Sequence, residues 1–249
     1  MAHGDRLVIA AIPARWGSTR FPGKPLALLA GEPMIVHVVR RAAEARSIDA
    51  VIVATDDERV GAAAAAAGAE VVMTGACASG TDRVAQAVLG RQGWEIVVNV
   101  QGDEPLIAAD NIDALVAGMV AAPKVGIATL CRPLDAGRVS DPNAVKVVRT
   151  VTGRALCFSR SPLPYPRDLE AAARLWRLHL GIYGFRRGAL ASFVELPPSP
   201  LERAEGLEQL RALENGMEIL VLDAPRPAFG VDTPEDLAEL ERVLSSRQP

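Results

Sequence analysis

LVIAAIPARWGSTRFPGK, residues 7–24, is the stretch that decides the fold class. Leu7–Ile12 is a continuous apolar run of strand length, the pattern of a strand buried on both faces. It runs into a loop that carries Gly17 and Gly23 together with Arg15, Arg20 and Lys24, three cations within ten residues. Glycines let a backbone fold tightly round a ligand, and successive N–H groups can line an anion site. An arginine fork grips phosphate oxygens in pairs, while lysine supplies a movable point charge. The bland alternative is a solvated basic loop. Neither GxxxxGK[ST] nor GxGxxG is present, so the loop is no Walker A sequence and no dinucleotide fingerprint.

Outward from this stretch, strand and helix signals alternate. Pro33 suits the first turn of a helix running to about Ala45. Val51–Ala54 is a second apolar strand, followed by an Ala-rich helix over Asp57–Ala67 that Gly68 stops. Glu70–Met73 reads as strand, Thr81–Leu89 as helix, Ile96–Val100 as a fourth buried strand, and a helix begins near Asp110. Such alternation implies right-handed crossovers and a parallel sheet. After about Val125 the rhythm changes. Ala144–Thr150 and Arg154–Ser159 flank Val151-Thr152-Gly153 as a hairpin. Ser161–Arg167, with three prolines, is irregular, and His179–Phe185 is a further strand. Leu201–Asn215 reads as one helix ended by Gly216, and Ile219–Leu222 as strand. Thr233 caps a last helix with Pro234 in its first turn. The expectation is one α/β domain over 1–249, with a mixed segment over about 126–215.

Composition bounds the function. Of 249 residues, 49% are hydrophobic and 23% charged, as in an ordinary folded protein. A net charge of −3 gives no broad attraction for nucleic acid or anionic membrane. Cys77, Cys131 and Cys157 are odd in number and widely spaced, which fits a reducing cytoplasm rather than a disulfide framework or structural zinc. The run ending at Ile12 is too short for a signal sequence, and no apolar stretch of about 18 residues suggests a membrane span.

Ligands of open parallel sheets bind beyond the carboxyl ends of the strands. Besides the first loop, three motifs fall at such ends. In Gln101-Gly102-Asp103-Glu104-Pro105, Asp103 either binds Mg²⁺ or caps a turn. In Gly230-Val231-Asp232-Thr233, Thr233 fills the cap role, which leaves Asp232 for another task. Ser79-Gly80-Thr81-Asp82-Arg83 is either a helix cap or a nucleotide-binding turn.

In their order along the chain, IPARWGSTRFPGKPL, PMIVHVV, IVATDD, SGTDR, VNVQGDEPLI, NAVKVV, FSR, HLGIYGF, LEQLR and GVDTPEDL resemble the CMP-KDO synthetases, the 3-deoxy-manno-octulosonate (KDO) cytidylyltransferases. The resemblance runs from about Leu7 to Leu237. It implies a Rossmann-like nucleotidyltransferase fold, with a mostly parallel sheet flanked by helices and a mixed segment for acceptor binding and dimerisation. It implies Mg²⁺-dependent transfer of CMP from CTP to an acidic sugar, in the cytoplasm, within lipopolysaccharide biosynthesis. By position, Arg15 and Lys24 hold the triphosphate with Ala14, Ser18 and Arg20. Asp103 and Asp232 bind Mg²⁺, and Ser79, Gly80, Thr81 and Arg83 lie by the nucleoside. Gln101, Arg160, His179, Tyr183, Glu208 and Gln209 contact the sugar acid. His179 and Tyr183 as core residues, and Glu208 and Gln209 as a solvated helix face, are the bland alternatives. Gly75-Ala76-Cys77-Ala78 departs from the Asp-His that many members carry before SGT. Other acceptors, 8-amino-KDO or phosphonoformate, stay open at this point, as does a non-catalytic nucleotide-binding protein.

Overall fold

The computed structural model describes residues 7–17 and 21–245. The chain divides into two compact units, one spanning residues up to Asp113 together with those from Arg226 onward, the other Ala114–Pro225. The second contains the whole of the segment 126–215.

The first unit begins with β1 (Leu7–Ala14), whose residues from Val8 to Ile12 are all buried. Burial on both faces explains why that run carries no polar alternation. A short 3₁₀ turn at Lys24–Leu26 leads to β2 (Leu28–Leu29) and β3 (Glu32–Pro33), a small antiparallel hairpin. Then come α1 (Met34–Ala43), β4 (Ala50–Thr55), α2 (Glu58–Ala66), β5 (Glu70–Met73), α3 (Gly80–Val88), β6 (Trp94–Asn99) and α4 (Ala109–Ala121). The strands pair in the order β6-β1-β4-β5, every pair parallel. Helices α1, α2 and α3 pack on them, as the crossover rule requires. Pro33 precedes the first helix as its cap rather than lying in its first turn.

The second unit is mixed. It contains β7 (Ile127–Pro133), β8 (Lys146–Arg149), β9 (Ala155–Ser159), α5 (Leu169–Ala173), β10 (Arg177–Arg186), α6 (Arg187–Glu195), α7 (Pro200–Glu205), α8 (Gln209–Glu214) and β11 (Ile219–Asp223). β11 joins β7 in parallel, whereas β7-β10, β10-β8 and the β8-β9 hairpin are antiparallel. The single helix expected over Leu201–Asn215 is two. Gly206 turns left-handed (φ 61°, ψ 39°) and ends α7, a conformation that costs glycine little. Leu134, Ala144, Ala172 and Trp176 form a core cluster of this unit. After it the chain returns to the first unit as α9 (Pro234–Ser245), whose Leu240 packs with Leu29, Met34 and Val231. Parallel pairing in the first unit and helices on the sheet make the fold class α/β, as expected. No helix among the described residues is long and apolar enough to cross a membrane.

Candidate active site

Within the first unit, the carboxyl ends of β1 and β6 open into a cleft of about 320 Å³. Asp103 follows β6 on the loop whose Gly102 passes directly under β1. A Cβ at Gly102 would stand 2.7 Å from the Pro13 carbonyl oxygen, which no side chain tolerates. Lys24 reaches the same place from the first loop. Its Nζ donates to Asp103 Oδ2 at 2.7 Å and to the Val231 carbonyl at 3.0 Å, and lies 3.7 Å from Asp232 Oδ1. Two carboxylates separated by 129 positions in sequence therefore converge on one ammonium group. Asp232 is brought there by the helix start behind it: Thr233 Oγ1 accepts from Asp236 N at 3.2 Å, so the cap is filled without Asp232. Val231 N donates to the Asp103 carbonyl at 2.8 Å and fixes the two loops to each other.

Glu104, next to Asp103, does not join this pair. It is buried with Oε2 unpartnered among the described residues. Burial, and then the charge of Asp103, push its pKa up to about 8, so it is a neutral acid at pH 7.

Ala14 and Arg15 line the cleft beside Lys24, and Arg15 is exposed. Ser18 and Arg20 lie outside the described residues. Trp16 anchors the start of that loop. Its N–H donates to Asp56 Oδ1 at 3.1 Å, the Arg59 guanidinium lies 3.6 Å above its ring, and its carbonyl accepts from Gly23 N at 3.2 Å. Ser79 and Gly80 line the cleft, with Ser79 Oγ capping α3 by accepting from Asp82 N at 3.1 Å. Thr81 is buried and its Oγ1 accepts from Asn99 Nδ2. Arg83 borders the cleft but is 3% exposed, bonded to Asp56 Oδ2 at 2.8 Å and to Thr74 Oγ1. Gln101 lines the same cleft, its Nε2 donating to Asn99 Oδ1.

The remaining candidates lie in the second unit, where His179, Tyr183 and Glu208 gather. His179 faces Phe158 edge-on at 5.0 Å and Tyr183 at 5.4 Å between ring centres. Thr129 Oγ1 has two backbone carbonyls to donate its one proton to, Ile182 at 2.7 Å and Leu180 at 3.1 Å, and lies 3.1 Å from His179 Nε2. The Nε2–H must then be the donor in that pair, leaving Nδ1 as an acceptor. Burial lowers the His179 pKa to about 3, so a neutral imidazole accepts here. Tyr183 is kept a donor: burial, then the nearby Glu208 carboxylate, hold its pKa well above the usual phenol value. Its hydroxyl and Gln209 Nε2 are both shut from solvent and unpartnered among the described residues. Glu208 and Gln209 open α8 half-buried and buried, not as a solvated face.

Arg160 is tied to the loops around it. Its N–H donates to Glu205 Oε2 at 2.8 Å, its Nε to the Glu205 carbonyl at 2.7 Å and its Nη1 to the Pro142 carbonyl at 2.8 Å. Its carbonyl accepts from Lys146, an ammonium buried completely.

The family described as Cytidylyltransferase matches residues 9–219 of this chain. The chain belongs to the cytidylyltransferase family. A 3-deoxy-manno-octulosonate cytidylyltransferase of Anaeromyxobacter dehalogenans is 50% identical, covering 97% of this chain and 99% of that protein. The Myxococcus xanthus protein of the same name is 48% identical over 96% and 97%. A CMP:2-keto-3-deoxy-manno-octonic acid synthetase solved in complex with CTP superposes with a TM-score of 0.91 at 41% identity, covering 96% of this chain and 99% of its own.

Several groups of this cytidylyltransferase were not singled out from sequence. Trp16, Asp56 and Arg59 hold the first loop, and Glu205 and Lys146 hold Arg160. Asp56 stands in the quoted IVATDD and Lys146 in NAVKVV, so both carried a positional signal but no chemical one. His179 offers a direct check. An ¹⁵N spectrum of the imidazoles should show it neutral, protonated on Nε2, and without a charge transition between pH 5 and 8. Since its folded pKa lies below the unfolded value of about 6.5, stability from this group is complete above that value and is lost as pH falls toward about 3. A His179 titration near pH 6.5 would contradict the burial argument.

Proposed function

We propose that this protein transfers CMP from CTP to the anomeric hydroxyl of KDO, giving CMP-KDO and pyrophosphate. The observation that carries the proposal is the meeting of Asp103 and Asp232 on the Lys24 ammonium, in a cleft that Arg15 also lines. The names of the relatives point to the same substrate pair.

The acceptor hydroxyl oxygen forms a bond to the α-phosphorus as the α–β bridging bond breaks, and the hydroxyl proton is released. Such a transfer needs positioning and charge neutralisation rather than a protein nucleophile. Lys24 and Arg15 offset charge on the departing pyrophosphate. Asp103 and Asp232 suit Mg²⁺, which takes one or two carboxylates and fills its shell with phosphate oxygens and water; no larger cage of His, Cys, Asp or Glu exists among the described residues. When bound, the ion supplies Lewis-acid charge to the phosphate oxygens. Ser79 and Gly80 take the nucleoside side of the cleft. His179 Nδ1 accepts from an acceptor hydroxyl, Tyr183 and Gln209 donate, and Arg160 meets the carboxylate.

The proposal includes a homodimer, contacting through the mixed segment, in the cytoplasm and within lipopolysaccharide biosynthesis. Exposed Leu156, Tyr165, Leu169 and Leu175 support a contact surface there. The unpaired Cys77, Cys131 and Cys157 suit a reducing compartment.

The test is pyrophosphate release from CTP with KDO, 8-amino-KDO, phosphonoformate and other small acids, each with Mg²⁺ and with chelator. Release with KDO that stops on chelation is expected. Release with another acid alone would reassign the acceptor cluster, and CTP binding without any release would replace the enzyme by a binding protein.

A further inference from the structure

Residues 75–78 lead into the wall of the cleft with little side-chain support of their own. The segment reads Gly-Ala-Cys-Ala, with no side chain large enough to pack it in place. Its two ends are secured. Thr74 is buried, donates its N–H to the Thr55 carbonyl at 2.8 Å and shares its hydroxyl with Arg83. Ser79 caps α3. Between them, Cys77 and Ala78 line the cleft. Two donors of this stretch converge on one atom: Gly75 N–H gives to Gln86 Oε1 at 3.1 Å, and the Cys77 thiol lies 3.2 Å from the same oxygen, with the Gly75 carbonyl a more distant acceptor at 3.6 Å. Gln86 lies two turns along α3 and is exposed, so neither helix packing nor core burial accounts for it.

We propose that Gln86 is a positioning residue for nucleotide binding, its carboxamide oxygen latching the 75–78 wall, with Cys77 as the latched side chain. The proposal rests on the cleft being the CTP site. A wall free to move must be ordered when the nucleotide binds, and that ordering lowers affinity. The latch acts on CTP binding, with no part in the transfer step or in acceptor binding.

A single oxygen accepts both bonds, so the substitutions separate cleanly. Gln86→Leu loses both, whereas Gln86→Glu keeps an acceptor of the same reach. Two net hydrogen bonds correspond to about a tenfold change in an equilibrium. Gln86→Leu should therefore raise KM for CTP about tenfold, with kcat and KM for the acid within twofold of the parent, and Gln86→Glu should restore it. A second readout needs no turnover. Alkylation of Cys77 by iodoacetamide, followed by peptide mass, should be slowed by CTP in the parent protein and be faster in Gln86→Leu without nucleotide. Arg15→Ala, an exposed change in the same cleft, serves as the control. If Arg15→Ala raises KM for CTP and Gln86→Leu does not, the latch alone is overturned. If neither changes it and CTP gives no protection of Cys77, the nucleotide reading of the cleft falls and the latch with it. A Gln86→Leu effect on kcat alone would also overturn the latch.

Discussion

Asp103→Asn should lower the rate of pyrophosphate release about a hundred- to a thousandfold while leaving the melting temperature close to the parent's. The magnitude is that of removing one preorganised electrostatic group from a charge-developing centre. The change is isosteric and the side chain is one-third exposed, so the fold has little at stake. Asn can still accept from Lys24, and the Asp103 carbonyl still accepts from Val231. What disappears is one of two negative charges aimed at a common cation. Asp232→Asn should act similarly, and because both serve one point the double variant should fall well short of the product of the two losses. Steady-state release at saturating CTP and acid, beside thermal melts of each protein, decides the matter. Near-normal turnover in Asp103→Asn would remove the carboxylate pair from the mechanism.

The largest stability effect should come from a buried pair in the second unit. Arg211 and Glu202 join α8 to α7 with side chains only 5% and 13% exposed, and Arg211 Nε donates to Glu202 Oε2 at 2.8 Å. Arg211 Nη1 also reaches the Leu196 carbonyl, and Glu202 accepts from Ser199 N–H in a capping box. Burial opposes ionisation of Glu202, but the hydrogen bond from Arg211 and that from Ser199 outweigh it and hold its pKa below the usual value. Arg211→Leu strands that carboxylate, at a cost of about 3–5 kcal/mol, or a fall of roughly 6–20 °C in melting temperature. Adding Glu202→Leu should recover much of the loss, since a buried pair replaced on both sides by apolar groups is often neutral. Because the Glu202 pKa is depressed in the folded protein, the pair's stabilisation is present above the unfolded carboxylate value of about 4.3 and is lost as pH falls through the lower folded one. An Arg211→Leu protein as stable as its parent would show the pair to be ornamental.

The parallel half of the molecule was legible because its strands are buried on both faces and write themselves as apolar runs, Leu7–Ile12 and Ile96–Val100 among them. Caps were legible for the same local reason: Thr233 reveals itself, and by occupying the cap role it leaves Asp232 available. The break at Gly206 was not. A glycine inside a helical pattern costs only about 1 kcal/mol, so sequence alone favours a continuous helix. Pairing of Arg211 with Glu202, and of Ser199 with Glu214, instead folds α8 back on α7. β7 was missed because Ile127–Pro133 offers a short apolar run that periodicity alone does not assign to strand or buried helix. Of the site, the residue types and their places at strand ends could be read. That Lys24, Asp103 and Asp232 share one point, and that Thr129 meets the ring of His179, are matters of long-range contact, which spacing does not encode.

The first unit is assembled from both extremities of the described chain, and this sets the order in which its parts appear during translation. Lys24 and Asp103 emerge early and can fold with β1 and β6. Asp232, and the Val231 and Leu240 that seat it against Leu29 and Met34, emerge only after all of the second unit. Synthesis is vectorial and domains fold as they appear. A chain cut short after Pro225 lacks Asp232, the Val231 N–H that bonds the Asp103 carbonyl, and the Leu240 that packs with Leu29 and Met34. Under the proposed mechanism, a product terminated before Asp232 would spend CTP far more slowly than the finished chain.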